Sequence, residues 1–205
     1  MTGGEEQASP EQAPRLILAS ASPRRTRLLE DWGIAHEIVV PDFDETFEPG
    51  LDPVRQAERL ARAKAEFVLE SRAEARAVLG ADTIVAVADR QLAKPADAAE
   101  ALAMLLDLSG REIRVVTGVA LARRSAETLW GAETTLLDMR AYDLDEARSY
   151  VATGEPLGKA GAFAIQGEGG RLIASRRGSY SNVVGLPRRL VLDLLRRGGL
   201  LDGEL

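Results

Sequence analysis

The chain has 205 residues, a net charge of −6 and a hydrophobic share of 45%, which fits one sizeable soluble domain. It has no cysteine and one histidine, His36, which excludes disulfides, thiolate metal sites, cysteine nucleophiles and multi-histidine metal centres. The acidic balance argues against a general nucleic-acid or anionic-membrane surface, and no apolar run approaches the ~20 residues of a membrane span.

Residues 1–14 carry acidic and no basic side chains, so they read as a disordered tail and not as a signal peptide. A cytoplasmic chain with one domain over 15–205 is the simple expectation. Leu16–Ala19 reads as a buried strand turning sharply into a helix. Ser22 suits the N-cap and Pro23 the first helical position of a helix running to about Trp32 and stopped by Gly33. Arg24 and Arg25 then fall in the first turn, where cations oppose the helix dipole by about 0.3–1 kcal/mol each. An anion in front of the helix resolves the conflict. Free backbone N–H groups, the hydroxyls of Ser20 and Ser22 and two guanidiniums would together hold a phosphate; the alternative is a solvated arginine pair.

Ile34–Val40 reads as a strand containing His36, followed by the acidic loop Pro41-Asp42-Phe43-Asp44-Glu45. Asp44 and Glu45 supply the hard oxygens that Mg²⁺ takes alongside water and substrate phosphates, or they form a solvated loop. Asp52-Pro53 reads as the start of a long helix to about Ala75. Its apolar face comprises Val54, Ala57, Leu60, Ala61, Phe67 and Val68, and Lys64 falls in the middle of it. Either the ammonium snorkels out or it meets an anion inside a cleft. Only three of the 26 basic residues are lysine, Lys64, Lys94 and Lys159, which marks them as places where a compact ammonium is needed.

Val78–Val87 reads as a strand broken by Gly80-Ala81-Asp82-Thr83. A carboxylate in such a run suits a metal, a cation or a catalytic task, or else turns the chain at a strand end. Lys94-Pro95 lies in a loop after the hairpin-like Asp89-Arg90. Asp97–Leu108 is a helix stopped by Ser109-Gly110, Ile113–Ala122 and Thr134–Tyr142 are strands, and Asp143 caps a short helix ending at Gly154. A glycine-rich loop runs from Gly154 to Gly170. In it, Gln166 has the donor–acceptor pair to read a planar polar edge such as a base. Leu172–Ala174 and Tyr180–Val184 are expected to pair across Arg176-Arg177-Gly178, and Pro187–Arg197 is a final helix. The order implies an α/β fold with a mixed twisted sheet flanked by helices. Neither a G-x-x-x-x-G-K-[ST] loop nor G-x-G-x-x-G after a strand is present, so arginines, lysines and a metal would have to grip phosphates instead.

Taken together, these segments resemble the Maf family of nucleoside triphosphate pyrophosphatases. The match is carried by Leu18-Ala19-Ser20-Ala21-Ser22-Pro23-Arg24-Arg25, Asp42-Phe43-Asp44-Glu45, Leu60-Ala61-Arg62-Ala63-Lys64-Ala65, Gly80-Ala81-Asp82-Thr83, Lys94-Pro95 and Leu108-Ser109-Gly110. It continues through Thr117-Gly118-Val119, Gly154-Glu155-Pro156, Lys159-Ala160-Gly161-Ala162-Phe163, Ile165-Gln166-Gly167 and Ser181 to Pro187. The resemblance implies an elongated mixed sheet in two lobes around a cleft, similar to inosine-triphosphate pyrophosphatases. It implies hydrolysis of a nucleoside triphosphate to the monophosphate and pyrophosphate with a divalent cation, Mg²⁺ or Mn²⁺. On the same ground Asp82 matches the catalytic position. Ser20, Arg24, Arg25, Lys64 and Lys94 match phosphate-side positions, and Arg24, Thr83 and Gln166 match positions linked to substrate choice. Asp82, Glu45 and Asp44 are the candidate metal ligands.

The Lys-Ala-Gly-Ala and Ile-Gln-Gly segments look like the dTTP- and UTP-hydrolysing branch. This chain departs from the family pattern at Gly158, where an Asp is usual, at Ala164, where a Gly is usual, and at Ile113, where a His is usual. Alternative readings are the same chemistry on 7-methyl-GTP or other modified nucleotides, and a non-catalytic nucleotide-binding regulator of cell division. A homodimer is a family-level expectation, and neither nucleic acid nor membrane is expected as a partner.

Overall fold

The computed structural model describes residues 16–42, 45–88 and 90–201. The expected tail at 1–14, the candidate ligand Asp44 and Asp89 lie outside the described residues. The elements in chain order are β1 (Leu16–Ala19), α1 (Pro23–Asp31), β2 (Glu37–Val39), α2 (Pro53–Ser71), β3 (Ala77–Val87), β4 (Arg90–Leu92), α3 (Ala98–Leu108), β5 (Glu112–Arg123), β6 (Ala126–Met139), α4 (Leu144–Ala152), β7 (Ile173–Arg177), α5 (Tyr180–Val184) and α6 (Arg188–Arg197). Short 3₁₀ turns at Ala160–Ala162 and Glu168–Leu172 punctuate the glycine-rich loop.

Seven strands form one mixed sheet in the order β2-β1-β3-β5-β6-β7, with β4 also pairing β3. β1 is parallel to β2 and β3, and the other pairings are antiparallel. β3 organises the site. On one side it pairs with β5 along almost its whole length. On the other, β1 accompanies it only from Ala77 to Gly80, and β4 joins only at Val85. Residues 81–84 therefore present a free strand edge between the two ends of the sheet, and a cleft opens there.

One face of the sheet is covered by α2, which lies against β1, β3, β5 and β6. Ala61, Ala65 and Val68 pack on Ile17, Val78, Ala120 and Ala122, while Ala57 meets Ile84 and Val116. Close seating requires glycine on the sheet. A Cβ at Gly80 would stand 2.3 Å from the Ala61 carbonyl oxygen, and one at Gly118 would stand 2.3 Å from the Ala57 carbonyl. Asp52 caps the start of α2 by accepting from the N–H groups of Val54 and Arg55. Beyond its other end, Arg124 donates to the carbonyls of Leu69, Arg72 and Ala75, groups a helix C-terminus leaves unpaired. The opposite face carries two separate cores. Helices α1 and α6 cover Leu79, Ala81, Val119 and Leu121, and α3 and α4 cover Val85, Val87, Ile113 and Val115.

Several sequence expectations are corrected. β3 is unbroken, because Gly80 serves helix approach and not a turn. The predicted strand at 34–40 shortens to Glu37–Val39, and the α2 helix ends at Ser71, before Ala75. β6 begins at Ala126, well before Thr134, because a tight turn with Ser125 at φ 61° folds it straight back on β5. Its first half contains no fully buried residue and gives no hydrophobic alternation to read. Tyr180–Val184 is a helix and not a hairpin partner. Ser179 caps it, accepting from the Asn182 N–H at 3.2 Å, while Ile173–Arg177 pairs with β6 instead.

Candidate active site

The cleft at the free edge of β3 has a volume of about 610 Å³, within the range that holds a small-molecule ligand. Among its lining residues are Ser20, Arg24, Arg25, Glu45, Lys64, Asp82, Thr83, Lys94 and Gln166. Every candidate that falls among the described residues is thus brought to one cavity from elements far apart in the chain.

Alternation along β3 sends neighbouring side chains to opposite faces of the sheet. Asp82 points to the α2 face, opposite Gly118 in the β3–β5 register. Lys64 meets it there, with Nζ 2.6 Å from Asp82 Oδ1, and both side chains are nearly fully buried. The same ammonium donates to Glu45 Oε1 at 2.8 Å, and Lys94 Nζ reaches Glu45 Oε2 at 3.1 Å. The result is a chain of alternating charge from Lys94 through Glu45 and Lys64 to Asp82, crossing the cleft from its open rim to its floor. Burial favours the protonated form of Glu45, but the hydrogen bonds and charges of Lys64 and Lys94 outweigh it and hold the carboxyl below the usual range. Of the two readings of Lys64, the cleft reading is the one observed.

Thr83 points to the other face, where the two arginines separate in role. Arg25 Nε donates to the Gly185 carbonyl at 3.0 Å, Nη1 to Ser20 Oγ at 3.1 Å and to the Ala81 carbonyl at 2.8 Å, and Nη2 to Thr83 Oγ1 at 3.1 Å. Four of the five donors of a guanidinium are thereby engaged by protein. The Ala81 carbonyl belongs to the free edge of β3, so Arg25 occupies the place a sheet neighbour would take. Desolvation lowers its pKa, an effect opposed by the Asp82 carboxylate. Thr83 Oγ1 continues to Thr117 Oγ1 at 3.0 Å, and Thr117 donates to the Asn182 carbonyl at 2.9 Å. Arg24, by contrast, lines the cleft with no hydrogen bond or ion pair among the described residues. Ser22 takes the N-cap position, but its hydroxyl makes no capping bond; its own N–H donates to Ser20 Oγ at 3.1 Å.

The far wall comes from the loop between α4 and β7, through Leu157 to Ala160 and Phe163 to Gln166. Lys159 lines it and donates to the Glu155 carbonyl. Burial, with Arg24 adding to it, pushes the Lys159 pKa below its ordinary value. Sequence reasoning set Lys159 apart by its rarity but did not place it in the site. The seats at Gly80 and Gly118 were missed altogether; a glycine inside an apolar strand was the available signal.

The donor set fits a hard divalent cation. Asp82 and Glu45 converge on one ammonium, and Asp82 Oδ2 accepts no hydrogen bond among the described residues. Carboxylate oxygens beside cations that would take phosphate are the partners Mg²⁺ uses. No cluster of three or more acidic or imidazole side chains is present among the described residues, so substrate oxygens and water would complete the shell. No helix among the described residues is long and apolar enough to cross a membrane.

The model of a family described as Maf-like protein matches residues 15–198. The chain is 50% identical over 185 residues to the dTTP/UTP pyrophosphatase of Myxococcus xanthus, covering 90% of this chain and 93% of the relative. It is 47% identical over 185 residues to the dTTP/UTP pyrophosphatase of Symbiobacterium thermophilum, with 90% and 94% covered. Among solved structures, a nucleoside-triphosphatase, dITP/XTP pyrophosphatase of Mycobacterium abscessus aligns with 20% identity over 90% of this chain and 94% of the other, at a TM-score of 0.42.

Proposed function

This chain belongs to the Maf-like family, and on that premise we propose that it hydrolyses nucleoside triphosphates, with dTTP and UTP preferred, to the monophosphate and pyrophosphate. The observation that carries the reading is the buried Lys64–Asp82 pair at the base of a cleft rimmed by Arg24, Lys94 and Lys159. A carboxylate set among cations suits attack by water on a polyanion.

The triphosphate lies with its phosphates toward Arg24, the start of α1, Lys64 and Lys94. The phosphates displace Glu45 as the lysines' counter-charge, and the cations stabilise charge on the phosphoryl oxygens and the leaving group. Arg25 stays bound to protein and holds Ser20, Thr83 and the free edge of β3 in place. Asp82 accepts a proton from the attacking water, whose oxygen forms a bond to the α-phosphorus as the bond to the bridging oxygen breaks. Pyrophosphate leaves with that oxygen. A divalent cation, Mg²⁺ or Mn²⁺, would be held by Asp82 and Glu45; when bound it supplies charge neutralisation and a more acidic water. Gln166 and Thr83 face the rest of the substrate, Gln166 offering an amide to a base edge. The catalytic unit spans 15–205.

The test is pyrophosphate release from dTTP, UTP, CTP, 7-methyl-GTP, GTP and ATP, with Mg²⁺, with Mn²⁺ and with EDTA, for the wild type and Asp82→Asn. Turnover led by dTTP and UTP, abolished by EDTA and lowered by at least about 10²-fold in Asp82→Asn, is expected. A lead by 7-methyl-GTP overturns the substrate assignment and leaves the chemistry. Wild-type turnover in Asp82→Asn overturns the catalytic assignment, and binding without turnover by the wild type overturns the enzyme.

A further inference from the structure

Gln166 is the only carboxamide lining the cleft, and its side chain makes no hydrogen bond among the described residues. A free amide on a loop of small residues is a poor reader, because a flexible donor–acceptor pair adapts to several base edges. Discrimination requires that the backbone beneath it be fixed. The structure contains such a fixture outside the cleft lining.

The fixture is the carboxylate of Glu155. Its Oε1 accepts from the Tyr150 hydroxyl at 2.8 Å and from the Gly169 N–H at 3.0 Å, and its Oε2 accepts from the Glu168 N–H at 2.9 Å. The Tyr150 hydroxyl in turn accepts from the Ala164 N–H at 3.2 Å. Residues 164–169 are thus tied at both ends to one acidic group and its phenol partner, with Gln166 between the ties. Tyr150 is fully buried on α4, so the anchor is rigid. Gly167 follows Gln166 with φ +86°, and a Cβ there would stand 2.4 Å from Glu155 Oε2. The loop wraps the carboxylate so closely that only glycine fits. The Glu155 carbonyl also accepts from Lys159, so the cleft ammonium on this wall is set by the same residue.

We infer that Glu155 is a positioning residue for substrate choice, its carboxylate holding the 164–169 segment so that the Gln166 amide meets the base in one orientation. The inference rests on the proposed nucleotide hydrolysis and extends it to a residue that touches no substrate. A glutamine at 155 turns one acceptor oxygen into a donor, which then faces a backbone N–H or the Tyr150 hydroxyl. The tie breaks while the bulk remains.

Glu155→Gln and Tyr150→Phe are compared with wild type by two measurements. The first is kcat/KM across the nucleotide panel. A purely structural role lowers the active fraction equally for every nucleotide and leaves the ratios unchanged, whereas positioning lowers the ratio of best to worst base by about tenfold or more. The second is hydrogen–deuterium exchange of the 164–172 segment without nucleotide, where protection of the Ala164, Glu168 and Gly169 amides is expected to fall. Unchanged ratios beside a selective wild type overturn the inference and leave the proposed function standing. Unchanged protection overturns it whatever the turnover. A wild type that hydrolyses no nucleotide overturns the proposed function, and with it this inference. If Glu155→Gln does not fold, Tyr150→Phe, which removes the tie to Ala164, decides on both measurements.

Discussion

Gly118→Ala is the most informative single change, because it adds one methyl group at a point where helix and sheet meet backbone to backbone. The new Cβ would lie 2.3 Å from the carbonyl carbon and oxygen of Ala57 and 2.7 Å from the Glu58 nitrogen. Ordinary contact begins near 3.4 Å, so α2 must lift from the sheet by about 1 Å, since neither neighbour is a flexible side chain. Lys64 lies two turns along the same helix, and its 2.6 Å bond to Asp82 is directed across that gap. A rigid lift stretches the bond beyond hydrogen-bond range, to about 3.6 Å. Overpacking of this kind costs about 1–3 kcal/mol, which for a domain of this size lowers Tm by about 2–12 °C. Misplacing a catalytic group by about 1 Å lowers kcat by up to about 10²-fold. The assay is pyrophosphate release well below the melting temperature, with thermal unfolding measured in parallel. Gly131→Ala is the control, since its Cβ would meet only the flexible Leu190 side chain, at 3.1 Å. A Gly118→Ala protein with wild-type Tm and kcat would refute the view that backbone seating of α2 sets the Lys64–Asp82 geometry.

The two arginines of α1 should respond differently to the same substitution. Arg25→Lys leaves the Gly185 and Ala81 carbonyls and the Thr83 hydroxyl short of donors, so Tm should fall by several degrees along with activity. Arg24→Lys breaks no such bond, and should keep Tm within about 2 °C while raising KM; equal Tm losses in the two variants would refute the separation of roles. Stability at acid pH carries the Glu155 signature. Burial raises the pKa of this carboxyl, but the Gly169 and Glu168 N–H groups, the Tyr150 hydroxyl and Lys159 outweigh that and hold it below its ordinary value of 4.5. A depressed folded value means that the stabilisation is complete above 4.5 and is lost as pH falls through the lower, folded value. Thermal melts between pH 7 and pH 3 should therefore show a shallower acid decline for Glu155→Gln than for wild type, and parallel curves would refute the anchoring bonds.

Much of the site was legible in the residues because its chemistry conflicts with its local setting. An ammonium on an apolar helix face, a carboxylate inside an apolar strand and cations at a helix start each violate a local preference, and such conflicts mark function. The paired roles were not legible. Arg24 and Arg25 are adjacent and alike in sequence, and only the strand edge at Ala81 with the Gly185 carbonyl distinguishes them. Glu155 gave no local conflict at all, since a glutamate beside a proline is ordinary until the loop closes around it.

By itself the sequence determined the order of most helices and strands, the caps at Asp52 and Asp143, and the residue types a polyanion site needs. These depend on spacing and short-range chemistry within a few residues. Tertiary structure alone decided that β3 runs unbroken past its glycine, that β6 starts at Ala126 and that Tyr180–Val184 coils. It also decided which lysine meets which carboxylate. Those outcomes depend on partners far along the chain, whether a helix backbone over Gly80 and Gly118 or a free strand edge where β1 ends and β4 begins. Long-range pairing and close packing override local preference there, because the energy of a fitted backbone contact is set by what lies across it.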